Sequence, residues 1–304
     1  MTTQPRVNEL WKYIGENQVN GQLVDDLTDF KTSQVNYRLT SFDVRTNGVR
    51  YLKTLIYNLA SQLSPENWDR LRRIENREVG NPFSVTYDGE MVCLDYLRAV
   101  LDLEFIEKNV DLAGADVLEI GAGYGRTCHS FLSNHKISSY TIIDLETTME
   151  VSQRYLRTVL DDAEFAKITF IPVGEIEGAL GDATFDLAIN IDSLAEMDVD
   201  TVRYYLGLID RHCRNFYVNN PVGKYMDKSL DGHARGEQAI ARAMSPGLLT
   251  DVIDVNDNRA VAAKAPEFTA AYRPHDGWTC AADTWAVPYT WYWQALFQKQ
   301  EPKH

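Results

Sequence analysis

The chain has 304 residues, enough to bury a sizeable core without disulfide or metal staples, and the length fits one large domain or one domain with an accessory segment. Its formal charge of −14, from 44 acidic against 30 basic residues, argues against a nucleic-acid partner, whose phosphates need clustered Lys and Arg, and suits a neutral or cationic small molecule. Cys93, Cys128, Cys213 and Cys280 form no Cys-x-x-Cys pair, the start Met1-Thr2-Thr3-Gln4-Pro5-Arg6 is not apolar, and no run approaches the roughly 18 apolar residues of a membrane span; a cytoplasmic setting without export or membrane insertion is expected.

The first hundred or so residues read as helices. Val49, Leu52, Leu55, Ile56 and Leu59 recur at helical spacing and predict one apolar stripe. Ser64-Pro65-Glu66 opens the next helix: serine caps free amides, proline suits the first helical position, and glutamate favours the positive end of the dipole. Trp68 and Leu71 form its buried side. Gly80-Asn81-Pro82 breaks the pattern, a short extended piece covers Ser84 to Tyr87, and a helix follows from about Cys93 to Ile106. Residues 1–110 are thus expected as a helical arm covering the substrate, ahead of a second unit over 111–304.

From Asp116 short apolar runs alternate with helical stretches, the signature of an α/β fold with a doubly wound, mostly parallel sheet. The predicted strands are Val117 to Ile120, Tyr140 to Ile143, Ile168 to Pro172, Phe185 to Ile191 and Phe216 to Asn219. The polar segment of about 221–265 carries Gly223, Gly232, Gly236 and Gly247, exceeds an ordinary crossover and is expected as a lid after strand five. The aromatic run Tyr289 to Phe297 suits a late strand.

The first of these strands runs into Glu119-Ile120-Gly121-Ala122-Gly123-Tyr124-Gly125, placing glycines at the first strand-to-helix turn, where doubly wound folds bind nucleotides. The dinucleotide spacing wants a glycine where Arg126 stands, so NAD is disfavoured. Asp144, followed by Leu145, ends the second strand, where a carboxylate can accept hydrogen bonds from two ribose hydroxyls. Gly174 and Glu175 follow the third strand near the place of an adenine, and Asn190-Ile191-Asp192 ends the fourth. A glycine-rich turn by itself is often only a turn, and Asp144 is what favours the functional reading. Cys128 and His129 read as helix packing and a solvated or capped histidine, the terminal aromatics as core, and Glu196, Asp198 and Asp200 as a solvated helix start.

The segment Glu119 to Gly125 resembles the first motif of class I S-adenosylmethionine-dependent methyltransferases, an acidic residue followed by glycines at alternate positions. Asn190-Ile191-Asp192-Ser193-Leu194-Ala195-Glu196-Met197, Asn219-Asn220-Pro221 and the aromatic end are similar to sugar O-methyltransferases of natural-product and polysaccharide gene clusters. That resemblance implies a Rossmann-like methyltransferase sheet and S-adenosylmethionine, leaving S-adenosylhomocysteine, held by Glu119, Gly121, Ala122, Gly123, Gly125, Asp144, Leu145, Gly174, Glu175, Asn190 and Ile191. It implies methyl transfer to a hydroxyl of a sugar or glycosylated small molecule, with nitrogen methylation, cyclisation or rearrangement of a small natural product as alternatives. Asp192 stands where many such proteins carry histidine. Asp192, then His233 and then Glu196 are the candidates for general base. Asn219 and Asn220 occupy positions where a metal would want a second carboxylate, so no metal is expected. The expected partner is the small-molecule acceptor; a homo-oligomer is left open.

Overall fold

A computed structural model describes residues 9–17, 44–225 and 237–300. Helices α1 (Glu9–Asn17), α2 (Val44–Gln62) and α3 (Pro65–Arg73) come first. The expected cap of α3 is present: Ser64 has extended backbone and its Oγ accepts the Asn67 amide at 3.1 Å, satisfying one of the helix's free donors. The α2 stripe is narrower than expected. Ile56 and Ala60 are buried, whereas Val49 and Leu55 face outward.

The extended piece is one half of a hairpin, β1 (Ser84–Tyr87) paired antiparallel with β2 (Glu90–Cys93). Asp88 and Gly89 turn it with φ of 49° and 83°, the two positive values that match the twist of hairpin strands. Cys93 ends β2 and caps α4 (Leu94–Glu107), so this helix starts one residue later than predicted. Ile56, Leu71, Ile74, Val92, Leu97 and Val100 form the core of this region.

The remaining elements are β3 (Asp116–Ile120), α5 (Arg126–Asn134), β4 (Ser139–Asp144), α6 (Glu146–Val159), α7 (Asp162–Phe165), β5 (Ile168–Pro172), α8 (Ile176–Leu180), β6 (Phe185–Ile191), α9 (Val199–His212), β7 (Cys213–Pro221), α10 (Glu237–Met244), α11 (Asn258–Ala263), α12 (Ala265–Ala271), β8 (Trp278–Trp285) and β9 (Tyr292–Lys299). They form a seven-stranded sheet ordered β5-β4-β3-β6-β7-β9-β8. β9 runs antiparallel to both neighbours, and β3 to β7 are mutually parallel. The late strand therefore lies a few residues beyond its expected start, and β8 joins it at the edge.

Both faces of the sheet are buried, which is why its strands read as nearly continuous apolar runs. Leu118, Ile120 and Ala188 pack with Val202, Leu206 and Ile209 of α9 and Phe268 of α12. On the other face Val117, Leu187 and Ile189 meet Leu103 and Ile106 of α4 and Phe131 of α5. The two sets alternate along each strand, as side chains on a pleated backbone must.

The chain lays β4 and β5 on one side of β3, then crosses to lay β6 and β7 on the other. Successive connections thus diverge between β3 and β6 and leave a crevice at their carboxyl ends, the ligand position of open α/β sheets. This is a Rossmann-like, doubly wound α/β fold. Among the described residues, no helix is long and apolar enough to cross a membrane.

Candidate functional site

The glycine turn after β3 holds three left-handed residues, Gly121 (φ 76°), Gly123 (φ 57°) and Gly125 (φ 94°), each for a different reason. A Cβ on Gly121 would stand 2.2 Å from Ser193 Oγ, and one on Gly125 would stand 2.8 Å from Leu156 of α6. Those two glycines permit the turn to pack against the loop after β6 and against a neighbouring helix. A Cβ on Gly123 would meet nothing within 4 Å, because Gly123 borders open space.

That space is a cavity of about 560 Å³, lined by the glycine turn, Glu119, Asp144, Leu145, Val173, Ile191, Asp192 and Glu196, with Asp95 and Arg98 of α4 above it. Asp144, 8% exposed, accepts the Gly123 amide at 3.0 Å on Oδ2 and the Leu145 amide at 2.7 Å on Oδ1. Burial raises its pKa while these amides oppose the rise. Glu119 lies deeper, 2% exposed, and accepts the Tyr140 hydroxyl at 2.8 Å. Burial lifts its carboxyl to about 7 against the pull of its hydrogen bonds with Tyr140 and Thr127 and the charge of Arg126.

Glu119, Gly121, Ala122, Gly123, Asp144, Leu145 and Ile191 come together around this cavity. Asn190, Gly125, Gly174 and Glu175, expected beside them, do not line it. Asn190 is fully buried, donates to the Ile120 carbonyl at 2.9 Å and accepts the Asn220 amide at 2.8 Å, so its side chain braces the β3, β6 and β7 ends. Gly125 starts α5 against Leu156, and Gly174 and Glu175 are exposed behind Val173, which takes the place beside the cavity. His129 is buried rather than solvated: its Nδ1 lies 2.7 Å from the Tyr96 hydroxyl, and burial lowers its pKa to about 4. Asp198 caps α9 through the Thr201 amide, in keeping with the helix-start reading. His233 lies outside the described residues.

Asp192 follows β6 with φ at 68°, a left-handed backbone uncommon outside glycine, and its amide donates to the Asn219 carbonyl at 2.9 Å. Its Oδ2 is 3.4 Å from Arg98 Nη2, and the Tyr292 hydroxyl faces the same carboxylate. Arg98 is 9% exposed, lies 4.5 Å from the ring centre of Tyr289 and donates to the Tyr289 hydroxyl at 3.3 Å. Burial and the neighbouring Asp192 carboxylate push the Tyr292 phenol up. Sequence reasoning missed Asp95, Arg98, Tyr289 and Tyr292. The signal was the spacing of Asp95, Arg98 and Asp102, which puts three charges on one face of a helix whose middle is largely apolar.

Asp192 and Glu196 also line a second cavity, of about 520 Å³, with Lys224, Tyr225, Arg242, Trp291 and Tyr292. The two cavities meet at these carboxylates. Part of the expected lid forms this second wall: Lys224 bridges Val252, while residues 226–236 lie outside the described set. Asn219 and Asn220 are structural here, Asn219 Nδ2 donating to Asp102 at 3.0 Å and Asn220 Oδ1 accepting the Ala195 amide at 3.2 Å.

No protein-family model and no curated protein matches the chain. Among solved structures, the methyltransferase domain of bacterial CtHen1 is similar with a TM-score of 0.45 at 12% identity, covering 67% of this chain and 97% of that one. A candidate RNA methyltransferase of Pyrococcus horikoshii gives a TM-score of 0.44 at 11% identity, covering 80% of this chain and 100% of that one. A candidate O-methyltransferase from Nostoc punctiforme gives 0.44 at 14% identity, covering 86% of this chain and 74% of that one.

Proposed function

We propose that the chain is an S-adenosylmethionine-dependent O-methyltransferase acting on a hydroxyl of a sugar or glycosylated small molecule. The observation that carries this reading is the pair of cavities meeting at Asp192, one of them floored by a glycine turn with its carboxylate partner. The residues present fit the cofactor. Gly123 leaves the room that a side chain would fill, and the Asp144 oxygens, held by backbone amides of the turn and of Leu145, keep lone pairs for ribose hydroxyls. The bound cofactor would supply an electrophilic methyl group on sulfur.

The chain's own residues would align the acceptor and manage its proton. Asp192 is the first candidate for that proton: it lies where the cavities join, oriented by Arg98 and beside the Tyr292 hydroxyl. Alignment supplies much of the remaining acceleration. Residues 1–110 and about 221–265 would together cover the acceptor, and Asp95, Arg98, Lys224 and Arg242 supply lining from both stretches.

Calorimetry with S-adenosylhomocysteine, followed by mass spectrometry after incubation with labelled cofactor and a panel of glycosylated metabolites, tests the reading. Cofactor binding and a mass increase of one methyl on a glycoside hydroxyl support it. Tight NAD binding, or no affinity for the sulfonium cofactor, overturns it.

A further inference from the structure

The second cavity is built rigidly. Gly223 has no room for a side chain, since a Cβ would stand 2.7 Å from the Asp251 carbonyl. Lys224 then pairs through its backbone on both sides, its amide with Asp251 O at 2.7 Å and its carbonyl with the Ile253 amide at 3.0 Å. Gly247 repeats the device against the turn after β6: a Cβ would lie 2.8 Å from the Ala195 carbonyl, and its amide donates to Met197 O at 2.7 Å. Gly223 and Lys224 thus hold the start of the segment after β7 against residues 251–253, and Gly247 clamps that segment to the turn that carries Asp192 and Glu196.

Into this clamped space project two cations. Lys224 Nζ donates to the Ala195 carbonyl at 3.2 Å, and an ammonium carries three donors. Burial lowers its pKa, with Glu196 acting against that at longer range, so its charge is partly stripped of water. Arg242 lines the same cavity and presents a planar fork of donors suited to two-pronged contact with an oxyanion. Among the described residues, neither cation has a carboxylate within ion-pair distance. The same cavity carries Asp192 and Glu196 where it meets the first, so its charges balance and the two cations form its basic side. Beside them stand Tyr225 and Trp291, with ring centres 5.4 Å apart, and Tyr292 follows at 5.5 Å from Trp291.

We propose that this cavity is a subsite for an anionic group, a carboxylate or a phosphate, borne by the acceptor, with Lys224 and Arg242 holding the oxyanion and Tyr225 and Trp291 flanking its ring. The acceptor then spans from this basic end to Asp192, which turns the neutral or cationic ligand expected from overall charge into an acidic one. As an acceptor subsite it rests on the reading of the first cavity as the cofactor site.

The test uses the full chain with saturating S-adenosylhomocysteine and saturation-transfer NMR with glucuronate, glucose 6-phosphate and glucose. At least one anionic sugar should bind about tenfold or more tightly than glucose, as charge-assisted hydrogen bonds predict. Preference for glucuronate identifies a carboxylate and preference for glucose 6-phosphate a phosphate. Lys224→Gln and the exposed Arg242→Gln should each remove most of that preference while melting temperature and S-adenosylhomocysteine affinity stay native. Equal binding of all three sugars, no binding at tens of millimolar, or an unchanged preference in both variants overturns the proposal. If the native chain binds no S-adenosylhomocysteine yet keeps the anion preference, the cofactor reading fails and the anion site stands.

Discussion

Glu119→Gln should make the protein more stable as pH rises, and the structure fixes both the sign and the size. Burial lifts the Glu119 carboxyl from its ordinary 4.5 to about 7. A raised folded-state value favours the protonated form, so this contribution to stability is fully present below about 4.5 and is lost as pH rises through about 7. At about 1.4 kcal/mol per pKa unit the loss amounts to ~3 kcal/mol, of which a real interior with some relaxation should show roughly 1–3. His129 works in the opposite sense. Its folded-state value falls from 6.5 to about 4, so its contribution is present above about 6.5 and lost as pH falls through about 4. The two slopes oppose each other across the same window, and the native chain alone will look deceptively flat. Urea denaturation followed by circular dichroism, from pH 4.5 to 8.5, should therefore compare Glu119→Gln with the native protein point by point. Altered hydrogen bonding to Tyr140 shifts the whole difference curve equally and leaves its slope intact. A difference that is constant with pH would refute the argument that Glu119 is held protonated by burial.

Asp144→Ala should weaken S-adenosylhomocysteine binding by about tenfold to a hundredfold, since charge-assisted hydrogen bonds contribute about 1.5–3 kcal/mol; calorimetry that returns native affinity speaks against the ribose role. Gly123→Val should melt within a few degrees of the native chain yet bind poorly, whereas Gly125→Val, forced against Leu156, should lose stability first; thermal melting beside cofactor titration separates the two. Asn190→Ala should cost about 2 kcal/mol by stranding the Asn220 side-chain amide and the Leu194 amide, while the Ile120 carbonyl keeps the Ser193 hydroxyl, measured as a fall in denaturation midpoint, and a neutral result would speak against the bracing role. Asp192→Asn should depress turnover at saturating acceptor by about a hundredfold across pH while cofactor affinity is unchanged, with His233→Gln as the comparison; near-native turnover in Asp192→Asn excludes it as the base.

The sheet was legible because its strands are buried on both faces, and burial on two faces writes long apolar runs into the sequence. Ile168–Pro172 and Phe185–Ile191 lie where they were expected, and β3, β4 and β7 differ only by extension at their ends. β2 was lost because its last residues run directly into α4, so one apolar stretch served two conformations. The signal for the hairpin was Asp88-Gly89. β8 escaped because only Trp278 among its residues is fully buried, its indole tied to Asp210 at 2.7 Å, and an exposed edge strand leaves little pattern.

The glycine-turn side of the candidate site was legible for a related reason: a turn that needs three left-handed residues has few sequence solutions, and the carboxylate that receives its amide ends the adjacent strand. Asn190 shows the limit of that logic. A strand-end position at the crevice looks the same in sequence whether its side chain faces the ligand or the neighbouring strands, and three partners, Ile120 at the end of β3, Asn220 in β7 and Leu194 in the turn after β6, decide it here. The acceptor side obeys no comparable local rule. Arg98 comes from α4, Asp192 from the end of β6 and Tyr289 from the approach to β9, and what joins them is the crossing of α4 over the carboxyl edge of the sheet. A guanidinium that is 9% exposed needs partners of this kind, since an unpaired buried charge is strongly destabilising. The pairing therefore does two things at once: it satisfies a charge brought in by α4, and it fixes the Asp192 carboxylate between Arg98 and Tyr292 at the mouth shared by the two cavities.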